Sequence, residues 1–161
     1  MLKKISLVLF LILFSAQAYS AGSDSTPKKV KSDYDKAVES IKFAKKYEKK
    51  GKVEKAKKRY EKAQKFLLKS NKEKPNQADT LNYLGFATRK LGNYEEGEKY
   101  YLLGLKIEPD HKGINEYLGE LYVVTNRIEL AKQRLDVLKN CNCEEYEELK
   151  DIIDGNKKSK Y

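Results

Sequence analysis

The residues of this 161-residue chain whose types could do chemistry are two cysteines, Cys141 and Cys143, a single histidine, His111, and a few adjacent acidic pairs. A Cys-x-Cys pair has three uses. Oxidised, it closes a local disulfide when the Cα atoms fall within roughly 4.4 to 6.8 Å. Reduced, its thiols stay free or join another chain, and as thiolates they bind a soft metal such as copper. Two thiolates alone make an incomplete metal site. His111 follows Pro109-Asp110, where a helix start calls for a polar residue in any case, so neither metal nor cofactor is expected. The cysteine pair also lacks the two-residue spacer and the sheet context of a thioredoxin-like redox motif.

Glu95-Glu96 and Glu147-Glu148 are neighbours in sequence, so on a helix their side chains point apart and read as solvated surface rather than as paired catalytic carboxylates. The chain has no glycine-rich phosphate loop, no metal-binding His-Glu pair and no serine in a nucleophile elbow. An enzyme is not expected.

The elements that must position these residues are helices. From Ser32 onward only Pro75 and Pro109 interrupt the chain, and apolar residues recur at intervals of three and four without the alternation of strands. The periodicity predicts helices over 34–50, 52–72, 77–90, 94–106, 111–124, 128–139 and 144–154. The last carries Tyr146, Leu149, Ile152 and Ile153 on one face and acids on the other, as a terminal cap requires. Residues 155–161 are a polar tail.

Leu84-Gly85 recurs as Leu118-Gly119, and Pro75 as Pro109, each 34 residues later. A fixed period of this length marks stacked helical hairpins. The middle unit reads Leu81, Leu84, Gly85, Gly97, Tyr101, Gly104, Pro109, and the next unit supplies Leu118, Gly119, Tyr122, Ala131 and Leu135 at the same offsets. The first unit aligns through Phe43, Ala44, Ala56, Tyr60 and Ala63, but its Pro75 arrives seven residues late, which predicts two extra turns in its second helix with Phe66, Leu67 and Leu68 giving them an apolar face. Glycine inside a helix costs about 1 kcal/mol relative to alanine, so Gly85, Gly97, Gly104 and Gly119 imply close helix approach, with large side chains from neighbouring helices filling the space.

This pattern resembles the tetratricopeptide repeat, departing from it at Thr88, where the family usually has Tyr, and at Leu81, where it often has Trp. The resemblance spans residues 32–154. It implies an all-α, right-handed superhelical stack of about three hairpins plus a C-terminal capping helix, and a scaffold that binds a protein or peptide in the groove lined by the first helix of each hairpin. The groove candidates that it implies are Ile41, Lys45 and Glu48, then Asn82, Phe86, Arg89 and Lys90, then Glu116, Glu120 and Val123. One subclass of these repeats grips a peptide's terminal carboxylate with Lys, Asn and Arg; here Glu116 and Glu120 stand in the third unit and would repel a carboxylate. Phe86, between Asn82 and Arg89, reads as an apolar anchor site with polar flanks.

Charge offers an alternative. The chain carries a net +10, unevenly: residues 28–75 hold 19 Lys and Arg against 7 acids, whereas 76–161 hold 13 against 16. A block of this density would attract an anionic membrane, a cell-wall polymer or an acidic protein, with affinity that falls as salt rises. The bland account is that these lysines alternate with acids such as Glu48, Glu54 and Glu61 and keep the helix exterior soluble.

At the N-terminus Lys3 and Lys4 precede an apolar run from Ile5 to Phe14, followed by Ala16-Gln17-Ala18. An apolar stretch ten residues long is about half of what a spanning helix needs, and the small-x-small ending is the layout of a signal peptide. The expectation is cleavage after Ala18, a flexible polar leader over 19–31, no membrane-spanning helix in the mature chain, and a periplasmic or secreted location. Nucleic acid is a poor partner for an exported chain.

Overall fold

A computed structural model describes residues 30–159. The signal segment expected over 1–18 lies outside the described residues, as does all but the end of the leader. Seven helices and no strand occur among the described residues: α1 (Asp33–Glu48), α2 (Val53–Glu73), α3 (Ala78–Lys90), α4 (Tyr94–Ile107), α5 (Lys112–Val124), α6 (Ile128–Leu138) and α7 (Glu144–Ile153). The pairs α1–α2, α3–α4 and α5–α6 are hairpins stacked in order, and α7 packs on α5 and α6 as the cap. The array is all-helical, and no described helix is long and apolar enough to cross a membrane.

Local chemistry sets the boundaries. Ser32 caps α1 in a reciprocal box with Asp35, its Oγ accepting from the Asp35 amide at 3.1 Å while the Asp35 carboxylate accepts from the Ser32 amide at 3.1 Å. His111 caps α5, its Nδ1 accepting from the Ile114 amide at 3.2 Å. The turns within the first two hairpins need a left-handed residue, supplied by Gly51 (φ 66°) and Gly92 (φ 90°). Asn126 takes the corresponding place in the third, 34 residues after Gly92, at φ 59°. Helix α2 runs for 21 residues against 14 in α4, so the late Pro75 does reflect two additional turns. Leu67 is fully buried there and Phe66 packs against the core, but Leu68 is 46% exposed.

The helical glycines are sites of close approach. A Cβ on Gly85 would lie 2.5 Å from Cε1 of Tyr101, which is itself fully buried, and one on Gly119 would lie 2.5 Å from Cδ2 of Leu149. Gly85 thus admits α4 within the second hairpin, and Gly119 admits the cap. Tyr60, Leu67, Leu84 and Phe86 join the first hairpin to the second; Tyr101, Ile114, Leu118 and Ala131 join the second to the third. Burial of each large side chain is worth about 1.5–3 kcal/mol, enough to offset the cost of a helical glycine. On the cap, Leu149 and Ile152 are buried and Tyr146 half-buried.

Candidate functional site

The first helices of the hairpins share one face, and side chains from all three meet on it. Lys45 of α1 reaches past α3 to α5, where its Nζ donates to the Tyr117 hydroxyl at 3.4 Å. On the way it lies 4.5 Å from the centre of the Phe86 ring. Phe86 packs against Tyr60 and Tyr117, with ring centres 5.9 and 5.0 Å apart. Lys45 itself remains half-exposed, and Lys90 pairs with Glu48, which also accepts from the Tyr60 hydroxyl at 2.8 Å.

Burial revises the roles that the family resemblance implies. Phe86 and Arg89 are each 1% exposed and Glu120 fully buried, so none of the three is a surface contact for a partner. Arg89 uses its guanidinium inside the molecule, donating to the Tyr117 carbonyl at 2.7 Å and to Glu120 Oε2 at 3.3 Å. The correction has a physical reason: a long side chain at a groove position reaches the neighbouring hairpin before it reaches solvent, and a buried charge requires an opposite partner. Glu120 therefore carries its charge against Arg89 and does not present it to a ligand. Ile41, another groove candidate, is 3% exposed and belongs to the first core cluster, whereas Val123 is half-buried against the second.

The open part of this face is a cleft of about 500 Å³ at the N-terminal ends of α3, α5 and α7. Among its lining residues are Asn82 and Glu116, expected from the sequence, and Tyr83 and Tyr117, which are not. The signal is present, because Asn82 recurs as Glu116 and Tyr83 as Tyr117 at the 34-residue period. Both tyrosines are partly buried, and burial followed by nearby acid, Asp79 for Tyr83 and Glu116 for Tyr117, raises their hydroxyls above the ordinary tyrosine range, Tyr117 far above it. They remain neutral hydrogen-bonding groups with an apolar ring, suited to holding a polypeptide. The edge of this face is further bounded by the chain beyond α7, where Lys157 Nζ meets Glu148 Oε1 at 2.6 Å and Ser159 Oγ donates to Glu120 Oε2 at 3.3 Å.

Cys141 and Cys143 form a disulfide in the α6–α7 connection, with Cα atoms 5.2 Å apart and Asn142 between them at φ 46°. With the bond closed, neither sulfur is a free thiolate. No group of His, Cys, Asp and Glu is placed to hold a metal ion among the described residues. The six lysines 52, 55, 57, 58, 62 and 65 at the start and along the outer side of α2 are all exposed.

Residues 78–111 match the family model described as tetratricopeptide repeat. No curated protein matches. Among solved structures, the chain is similar to one described as the first TPR of Spaghetti (RPAP3) bound to HSP90 peptide SRMEEVD, at 21% identity and a TM-score of 0.48, over 79% of this chain and 98% of that one. The protein is thus an all-helical stack of hairpins whose second unit, α3–α4, matches the tetratricopeptide repeat.

Proposed function

We propose that the chain is a non-enzymatic scaffold of the bacterial periplasm that binds a protein or peptide on the face shared by α1, α3 and α5. The observation that carries this reading is the open cleft on that face, where Asn82, Tyr83, Glu116 and Tyr117 repeat in register on consecutive hairpins. A row of polar and aromatic groups at the hairpin spacing matches an extended chain better than a compact small molecule. The N-terminal Lys-apolar-small pattern and the Cys141–Cys143 disulfide support a location outside the reducing cytoplasm.

A second reading rests on the lysines of α2: a basic module adhering to an anionic envelope surface or an acidic protein. Affinity capture from the cell envelope at low and high salt separates the two, using wild type, Lys45→Ala with Tyr83→Ala, and a variant with Lys55, Lys58, Lys62 and Lys65 changed to Gln. The scaffold reading expects a defined protein retained at high salt and lost in the Lys45/Tyr83 variant. Retention that follows salt and the α2 lysines instead replaces it with adhesion.

A further inference from the structure

Around the open cleft the charge of the molecule reverses. Asp79, Glu108, Asp110, Glu116 and Glu145 line it, with Lys112 as the opposing charge, and His111 Nε2 lies 3.2 Å from Asp79 Oδ1. In a chain with a net charge of +10, Glu108, Asp110 and Glu145 nonetheless make no ion pair among the described residues.

Helix dipoles account for part of this, since Asp79 and Glu145 fall in the first turns of α3 and α7. They do not account for Glu108, which caps the C-terminus of α4 and adds negative charge to a negative end, nor for Glu116, one turn inside α5. A second observation is independent of charge. Asn82 is 6% exposed and lines the cleft, yet its buried Oδ1 accepts no hydrogen bond among the described residues. A buried acceptor is costly until a donor arrives.

We infer that this cleft binds a lysine or arginine side chain of a partner peptide, with Asn82 Oδ1 accepting from it and Glu108, Asp110 and Glu145 surrounding its charge. The ligand supplies a donor for Asn82 Oδ1 and positive charge beyond that of Lys112. The carboxylates are too dispersed for a metal ion, as no group of three ligands is close enough among the described residues, but they suit an ammonium or guanidinium on a flexible stem. The inference deepens the scaffold reading and rests on it, by stating what kind of polypeptide the face selects.

The test is fluorescence anisotropy with a short labelled Gly-Ser peptide carrying two adjacent lysines, beside the same peptide with both lysines acetylated. The proteins are wild type, Asn82→Ala, and a triple variant Glu108→Gln, Asp110→Asn, Glu145→Gln. The expected result is binding of the lysine peptide that weakens by about tenfold or more in the triple variant and in Asn82→Ala, with acetylation equally damaging. Equal binding by wild type and the triple variant overturns the inference, as does failure of wild type to bind the lysine peptide. Amide chemical shifts of wild type with the peptide keep the test decisive if a variant misfolds: shifts must centre on Asn82, Gly113 and Glu116, and shifts confined to α2 refute it. Sedimentation of the protein alone covers a second copy as occupant, because self-association at low salt that disappears in the triple variant would overturn the partner-peptide assignment. None of these failures touches envelope capture that depends on Lys45 and Tyr83, so the inference and the scaffold reading fail separately.

Discussion

The Arg89 guanidinium and the Glu120 carboxylate meet at 3.3 Å with both side chains fully buried, tying the second hairpin to the third. Arg89 also donates to the Tyr117 carbonyl, so one side chain fixes both the charge and the backbone of α5. Removing one member of such a pair typically costs about 3–5 kcal/mol, whereas replacing both with apolar residues is often neutral. Arg89→Ala is expected to lower unfolding free energy by about that amount, and Arg89→Met with Glu120→Leu to recover most of it. Urea denaturation of the three proteins checks this; an Arg89→Ala protein as stable as wild type would show that the pair is not a structural tie.

Gly85 makes the opposite use of side-chain size. Alanine should favour a helix by about 1 kcal/mol, yet at this position its Cβ would collide with the Tyr101 ring, which is buried on all sides. Overpacking of this kind costs about 1–3 kcal/mol. Gly85→Ala is therefore expected to destabilise, and Gly119→Ala likewise through Leu149, as read from thermal or urea midpoints.

Asp33 accepts from Lys36 at 2.8 Å and pairs with Lys69 at 2.6 Å, and these two lysines hold its carboxyl below the ordinary aspartate range. A carboxyl depressed in the folded state stabilises the fold at any pH above its unfolded value, and this contribution disappears as pH falls through the folded one. Wild type should therefore lose stability below about pH 4, and Asp33→Asn should be less stable at neutral pH with a flatter acid limb. Thermal midpoints across pH 2–7 measure both, the expected range being that over which aspartates of depressed pKa titrate.

The Cys141–Cys143 bond closes a very short loop, so its effect on the unfolded chain should fall below the roughly 3 kcal/mol given by a 15-residue loop. Cys141→Ser with Cys143→Ser is expected to leave α1–α6 folded while loosening α7. Hydrogen exchange should show faster exchange in α7 and unchanged protection in α3 and α4.

The fold is largely legible in the sequence, for reasons that particular residues make plain. The 34-residue recurrence of Leu-Gly and the glycine holes encode hairpin spacing directly, and the helix limits expected from periodicity lie within a few residues of those observed. The site is less legible. The resemblance places Phe86 and Arg89 of α3 and Glu120 of α5 at groove positions, but it does not say that Arg89 is long enough to reach Tyr117 and Glu120, or that Lys45 will lie over Phe86. Those are contacts between residues 28 to 41 positions apart, set by how adjacent hairpins tilt. Tyr83 and Tyr117 are hidden for another reason: aromatic residues at helical spacing read first as core, and only their shared register on consecutive hairpins distinguishes them.

Photo-crosslinking in cells tests partner binding on the shared face most directly, with p-benzoylphenylalanine placed at Tyr83 on that face in one variant and at Lys58 on the outside of α2 in another. Binding on the face of α1, α3 and α5 predicts a discrete protein adduct from position 83 and none from position 58. Adducts from position 58 alone would contradict it and move the partner to the basic exterior.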